Sequence, residues 1–122
     1  MHRLWIALGA LLGLGAVALS AWAAHAAPRL LDPARLEALG NGITMQGWHA
    51  LALLGTGLWA ERRGGRLPHG AAACFALGAL LFCGAVYAAA VAGVSLGPVA
   101  PTGGVLMMAG WALLFLSAAR RR

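Results

Sequence analysis

From Arg66 to Arg120 the chain holds no Asp, Glu, Lys or Arg, and between Arg3 and Arg29 there is none either. Uninterrupted apolar stretches near ~20 residues leave few folds open, because they match the length at which a helix crosses a bilayer. Four runs qualify, at about 4–24, 43–60, 70–94 and 99–118. They are continuous rather than alternating, which selects helices over a β-barrel. Composition agrees: of 122 residues, 61% are hydrophobic and 10% charged, against ~25% charged in soluble domains. The expectation is an all-α integral membrane protein, residues 1–122 forming a single domain. Its architecture is a four-transmembrane-helix bundle with a short interfacial helix between helices 1 and 2.

The first run has two readings. Arg3, the apolar stretch and the tail Ala24-His25-Ala26-Ala27-Pro28 resemble a cleavable secretory signal. Leu4 to Ala24 exceeds the ~7–15 residues of a signal core, however, so a retained span is expected. Asp32 followed by Pro33 then starts a helix, since the carboxylate can cap free amides and proline suits the first position. With Gly40 as its stop and Leu36 and Leu39 on one side, that short segment reads as amphipathic and interfacial.

The charge is +6 and is carried by arginine alone. The arginines sit at segment ends without interleaved aromatics, so membrane lipid with anionic headgroups is expected as a partner and nucleic acid is not. Arg3, Arg62, Arg63, Arg66, Arg120, Arg121 and Arg122 fall on one side of a four-span protein, and only Arg29 and Arg35 on the other. The positive-inside rule then places both termini in the cytoplasm of a bacterium, the chain being a multi-pass protein of the cytoplasmic (inner) membrane.

Small residues recur at helical spacing on the first and third runs. Gly9, Gly13, Gly78 and Ala85 are the positions where a neighbouring helix is expected to come close, as helices do in lipid. Cys74 and Cys83 lie about half a turn out of phase and ~13 Å apart on one helix, so they read as small packing residues rather than a disulfide.

Polar groups at membrane depth are few. His25, Gln46, His49, Tyr87 and Thr102 all belong to the half of the bilayer away from the arginines, and Gln46 and His49 are three apart on one helix. Such groups face the bundle interior and are candidates for function. As a set they read either as a structural hydrogen-bonded clasp or as a pocket for a lipid or quinone-like molecule. Proton relay by His49 is a third reading. No metal site, cofactor or catalytic residue is expected: HxxxH, CxxC, GxSxG and phosphate-loop patterns are missing, and Asp32, Glu37 and Glu61 all fall in connections.

The residues also carry a resemblance. Ala24-His25-Ala26 closes the first span, His49-Ala50-Leu51-Ala52-Leu53-Leu54 follows in the second, and Gly84-Ala85-Val86-Tyr87 lies in the third. With Leu96-Gly97, Pro101-Thr102-Gly103-Gly104 and Gly110-Trp111, this order resembles the small membrane proteins grouped with bacterial YgdD and YwdK and with vertebrate transmembrane protein 256, which share domain of unknown function 423. The chain departs from that pattern at Trp48, where a tyrosine is common, and at Ala21-Trp22-Ala23-Ala24. The resemblance implies an uncleaved first helix and an inner-membrane location, and brings no activity with it. The expected role is that of a non-enzymatic accessory, assembly or oligomerising protein, with a second copy or another membrane protein as partner. The small-molecule binder is the first alternative, and a small channel or proton-linked carrier the second.

Overall fold

The computed structural model describes residues 1–120. It consists of four long helices: α1 (His2–His25), α2 (Pro33–Arg63), α3 (Leu67–Ala92) and α4 (Val99–Ala119), with a 3₁₀ turn at Ala27–Arg29. Arg121 and Arg122, which entered the charge argument, lie outside the described residues. The helices run up and down, α1 packing on α2, α2 on α3 and α3 on α4. Three of them, α1, α3 and α4, are long and apolar enough to cross a membrane.

The interfacial helix does not form as a separate element. Asp32 does cap a helix, accepting from the Arg35 amide at 2.8 Å, and Pro33 does open it. The helix then runs through Gly40-Asn41-Gly42 without a break and continues to Arg63, 31 residues in all. Glycine inside a helix costs about 1 kcal/mol against alanine, but here it brings a packing return. A Cβ on Gly42 would stand 2.6 Å from a ring carbon of Tyr87 on α3, so only glycine lets the two helices meet there. Leu39 is fully buried rather than resting on a membrane surface. It packs with Ala27, Leu31 and Ala90, flanked by Trp22, Leu36 and Ile43.

At 1.5 Å per residue α2 is about 46 Å long, well beyond a ~30 Å hydrocarbon layer. It also carries more polar residues than its neighbours, and three of them turn inward: Gln46, His49 and Thr56 are buried, while Thr44 is exposed.

The connections follow their residues. Gly64, in an extended positive-φ conformation, ends α2, and Pro68 sits in the first turn of α3. Gly93, at φ 70°, closes α3 in the left-handed conformation that favours glycine.

Close helix crossings occur where a side chain is missing. A Cβ on Gly9 would be 2.8 Å from the Ala50 carbonyl oxygen, and one on Gly78 would be 2.8 Å from both the Gly103 oxygen and the Met107 nitrogen. Gly13 is in ordinary contact range of Ala50. Ala85 is buried. Gly103, opposite Gly78, meets the backbone of Phe82.

Two apolar clusters result. One, toward the arginine-rich end, holds Trp5, Ala52, Leu53, Ala71, Ala72 and Phe75. The other holds Leu39, Ala27, Leu31 and Ala90 at the opposite end. Along α2, Gln46 and His49 fall between them.

Candidate functional site

Two buried polar side chains, one turn apart on α2, tie the four helices together. Gln46 is 6% exposed and His49 is 2% exposed. The Gln46 amide nitrogen donates to the Leu12 carbonyl of α1 at 2.9 Å. Its amide oxygen accepts from the Tyr87 hydroxyl of α3 at 2.7 Å. Gly15 leaves the room for this, since a Cβ there would be 2.9 Å from the amide nitrogen. Gln46 thus joins α1, α2 and α3. Beside it, the Cys83 thiol lies 3.4 Å from the Gly42 carbonyl.

His49 turns the other way. The Trp111 indole N–H of α4 donates to His49 Nε2 at 3.1 Å. Because an indole nitrogen can only donate, Nε2 is the acceptor and the ring proton belongs on Nδ1. Nδ1 lies 2.7 Å from the Met45 carbonyl and donates to it. Phe75 of α3 packs edge-on against Trp111, centroids 4.8 Å apart, and tilted against His49 at 5.6 Å. Both imidazole nitrogens are therefore spent, one donating and one accepting, while Trp111 remains 47% exposed.

His25 and Thr102 do not join this arrangement. His25 is exposed in the last turn of α1. Thr102 is exposed and donates its hydroxyl back to the Pro98 carbonyl of its own helix at 2.8 Å. The five residues grouped by depth thus separate into a Gln46–Tyr87 pair, a His49 pair with Trp111, and two surface positions. Depth along a helix is readable from sequence; the direction a side chain faces depends on which neighbours pack against it.

Sequence reasoning missed the tryptophans as partners. Trp5, at the end of α1 where an interfacial anchor is usual, is buried and donates to His69 Nδ1 of α3 at 2.9 Å. Trp59 donates to the Ser117 hydroxyl of α4 at 2.9 Å. With Trp111, three of the five tryptophans therefore bond a polar group on another helix. A signal did exist: a tryptophan well inside an apolar span needs an acceptor for its N–H, and Trp111 is such a residue.

A groove of about 550 Å³ opens beside the His49 pair, between α2 and α4. It is lined by Met45, Trp48 and His49 on one side and by Pro101, Val105 and Trp111 on the other, among other residues. Among the described residues no buried side-chain nitrogen or oxygen lacks a hydrogen-bond partner, and no three His, Cys, Asp or Glu side chains are placed to hold a metal ion.

These features define a small helical membrane protein whose interior polar groups pair across helices. The chain belongs to the family described as Protein of unknown function (DUF423), which it matches over residues 19–104. It is 33% identical to the UPF0382 inner membrane protein YgdD of Escherichia coli (strain K12), over 97% of this chain and 91% of that protein. A UPF0382 membrane protein of Haemophilus influenzae is 33% identical over 91% of this chain and 90% of its own length. The membrane protein YwdK of Bacillus subtilis is 30% identical over 97% and 98%. No solved structure matches the chain.

Proposed function

We propose that this protein is a four-span inner-membrane protein with both termini in the cytoplasm. On this reading it has no catalysis of its own and serves as an accessory or assembly factor through lateral contact with a second copy or another membrane protein. The observation that carries the reading is that the buried polar side chains are already satisfied by the chain itself. Among the described residues none is left to face a substrate, and both nitrogens of the buried His49 are engaged. What remains for interaction is the outer surface, where Leu11, Leu14 and Val17 of α1 and Val105, Met108 and Phe115 of α4 are exposed.

Two further points support the topology. The inward turn of Gln46, His49 and Thr56 leaves Trp48, Leu51 and Leu58 on the outside of α2, so its polarity does not prevent it from spanning. The arginine asymmetry gives the orientation. The relatives' names as inner membrane proteins support the location.

Native mass spectrometry from lipid nanodiscs, joined to affinity capture from solubilised membranes, tests the reading. A defined oligomer or a stoichiometric protein partner is the expected result. A bare monomer that captures nothing overturns it. The α2–α4 groove favours one second reading, a site for a lipid or quinone-like molecule against Trp111 and His49. A bound small-molecule mass lost on His49→Ala would support that reading instead.

A further inference from the structure

A second groove, between α1 and α3, differs from the other lipid-facing surfaces in what stands at its end. Leu8 and Leu12 line it from α1, and Ala73, Ala76, Leu77 and Leu80 from α3, around about 490 Å³. That volume falls within the ~300–1,000 Å³ of small-ligand sites. At the arginine-rich end the groove is bounded by Trp5, which bonds His69 Nδ1. Since the indole can only donate, the proton of the neutral His69 ring sits on Nε2. Among the described residues His69 makes no other hydrogen bond, and it is half-buried rather than enclosed.

One turn back stands Arg66, exposed at the N-cap of α3. No side chain caps that helix start; Pro68 has no N–H and the Gly70 amide bonds the Arg66 carbonyl, so the Leu67 and His69 amides are the free ones and the end carries partial positive charge. Arg66, His69, Ala73, Ala76 and Leu80 are spaced by three or four residues and, with Leu77, share one face of α3. No acid lies in its first turn. Glu61, on α2, stands instead 3.9 Å from His2.

We propose that the α1–α3 groove binds one anionic phospholipid, an acyl chain lying along the apolar walls and the phosphate held by Arg66, His69 Nε2–H and the first-turn amides of α3. The walls select a lipid over a soluble anion, and the concentration of positive charge at one end selects an anionic headgroup. The site needs only α1 and α3 in the bilayer. It therefore stands or falls separately from the partner reading above.

The test is native mass spectrometry of the purified full chain from nanodiscs made of equal phosphatidylglycerol and phosphatidylcholine. The wild type is expected to retain one phosphatidylglycerol in preference to phosphatidylcholine. Arg66→Gln is expected to cut that retention about fivefold, the scale of one basic residue near an anionic surface. Ala76→Phe, which fills the groove, is expected to cut it to a similar degree. Arg62→Gln removes a charge from the same end but from α2, and is expected to leave retention intact. Equal retention of the two lipids overturns the site. Equal losses in Arg62→Gln and Arg66→Gln also overturn it, because they show diffuse surface attraction. If Ala76→Phe fails to fold, the two exposed arginine variants decide the matter alone.

Discussion

The Trp111 indole N–H and His49 Nε2 stand 3.1 Å apart, although 62 positions separate them in the chain. This bond fixes the tautomer of the imidazole and holds α4 to α2 at a level where the groove otherwise keeps the two apart. In a bilayer neither group has water to turn to.

The pair can be measured by a double-mutant cycle. His49→Ala and Trp111→Phe are each expected to lower unfolding stability in detergent micelles. Their coupling is expected near ~0.6 kcal/mol and no more than ~1.7, the range of interhelical bonds in membrane proteins. Strict additivity would show that the bond contributes nothing beyond ring packing.

Tyr87→Phe keeps the ring against Gly42 and removes only the hydroxyl that bonds Gln46. The expected loss is again of order ~1 kcal/mol. Gln46→Leu should lose more than Tyr87→Phe, because it also breaks the bond to the Leu12 carbonyl. Thermal melts followed by circular dichroism rank the two.

Glycines on one helix should respond oppositely. Gly78→Ala puts a methyl against the Gly103 and Met107 backbone, which cannot rotate aside, so a cost of about 1–3 kcal/mol is expected. Gly84→Ala meets nothing within 4 Å and should stabilise α3 by up to about 1 kcal/mol. Matched melts of the two variants check the sign of each.

The proposed orientation has a chemical readout. A cysteine placed at Ser95, exposed in the connection between α3 and α4, should react with a membrane-impermeant maleimide on intact spheroplasts. One placed at Arg62, exposed in the last turn of α2, should react only after permeabilisation. The reverse pattern would invert the topology. The native Cys74 and Cys83 are free thiols, half-buried and buried respectively, so replacing both with alanine first removes background.

The helices were legible in the sequence because apolar run length is a one-dimensional signal. Asp32 and Pro33 marked a helix start correctly, since capping is decided within a few residues. Gly40 misled, because glycine ends a helix only when nothing distant rewards continuation, and Tyr87, 45 positions beyond Gly42 in sequence, supplies that reward. The site was half legible. Gln46, His49 and Tyr87 were singled out by polarity and depth. Their division between two separate pairs was not, because it depends on Gly15 opening space on one side and Trp111 reaching in from the other.

α2, α3 and α4 each pack on the helix made just before them, which gives assembly an order. Gln46 finds the Leu12 carbonyl as soon as the first hairpin closes, and Tyr87 when the third helix arrives. His49 must wait for Trp111, on α4, which is made after α3. A chain that stops short of α4 therefore keeps one imidazole nitrogen without a partner in the bilayer. The closing of that single bond ties α4 to the polar centre of the bundle.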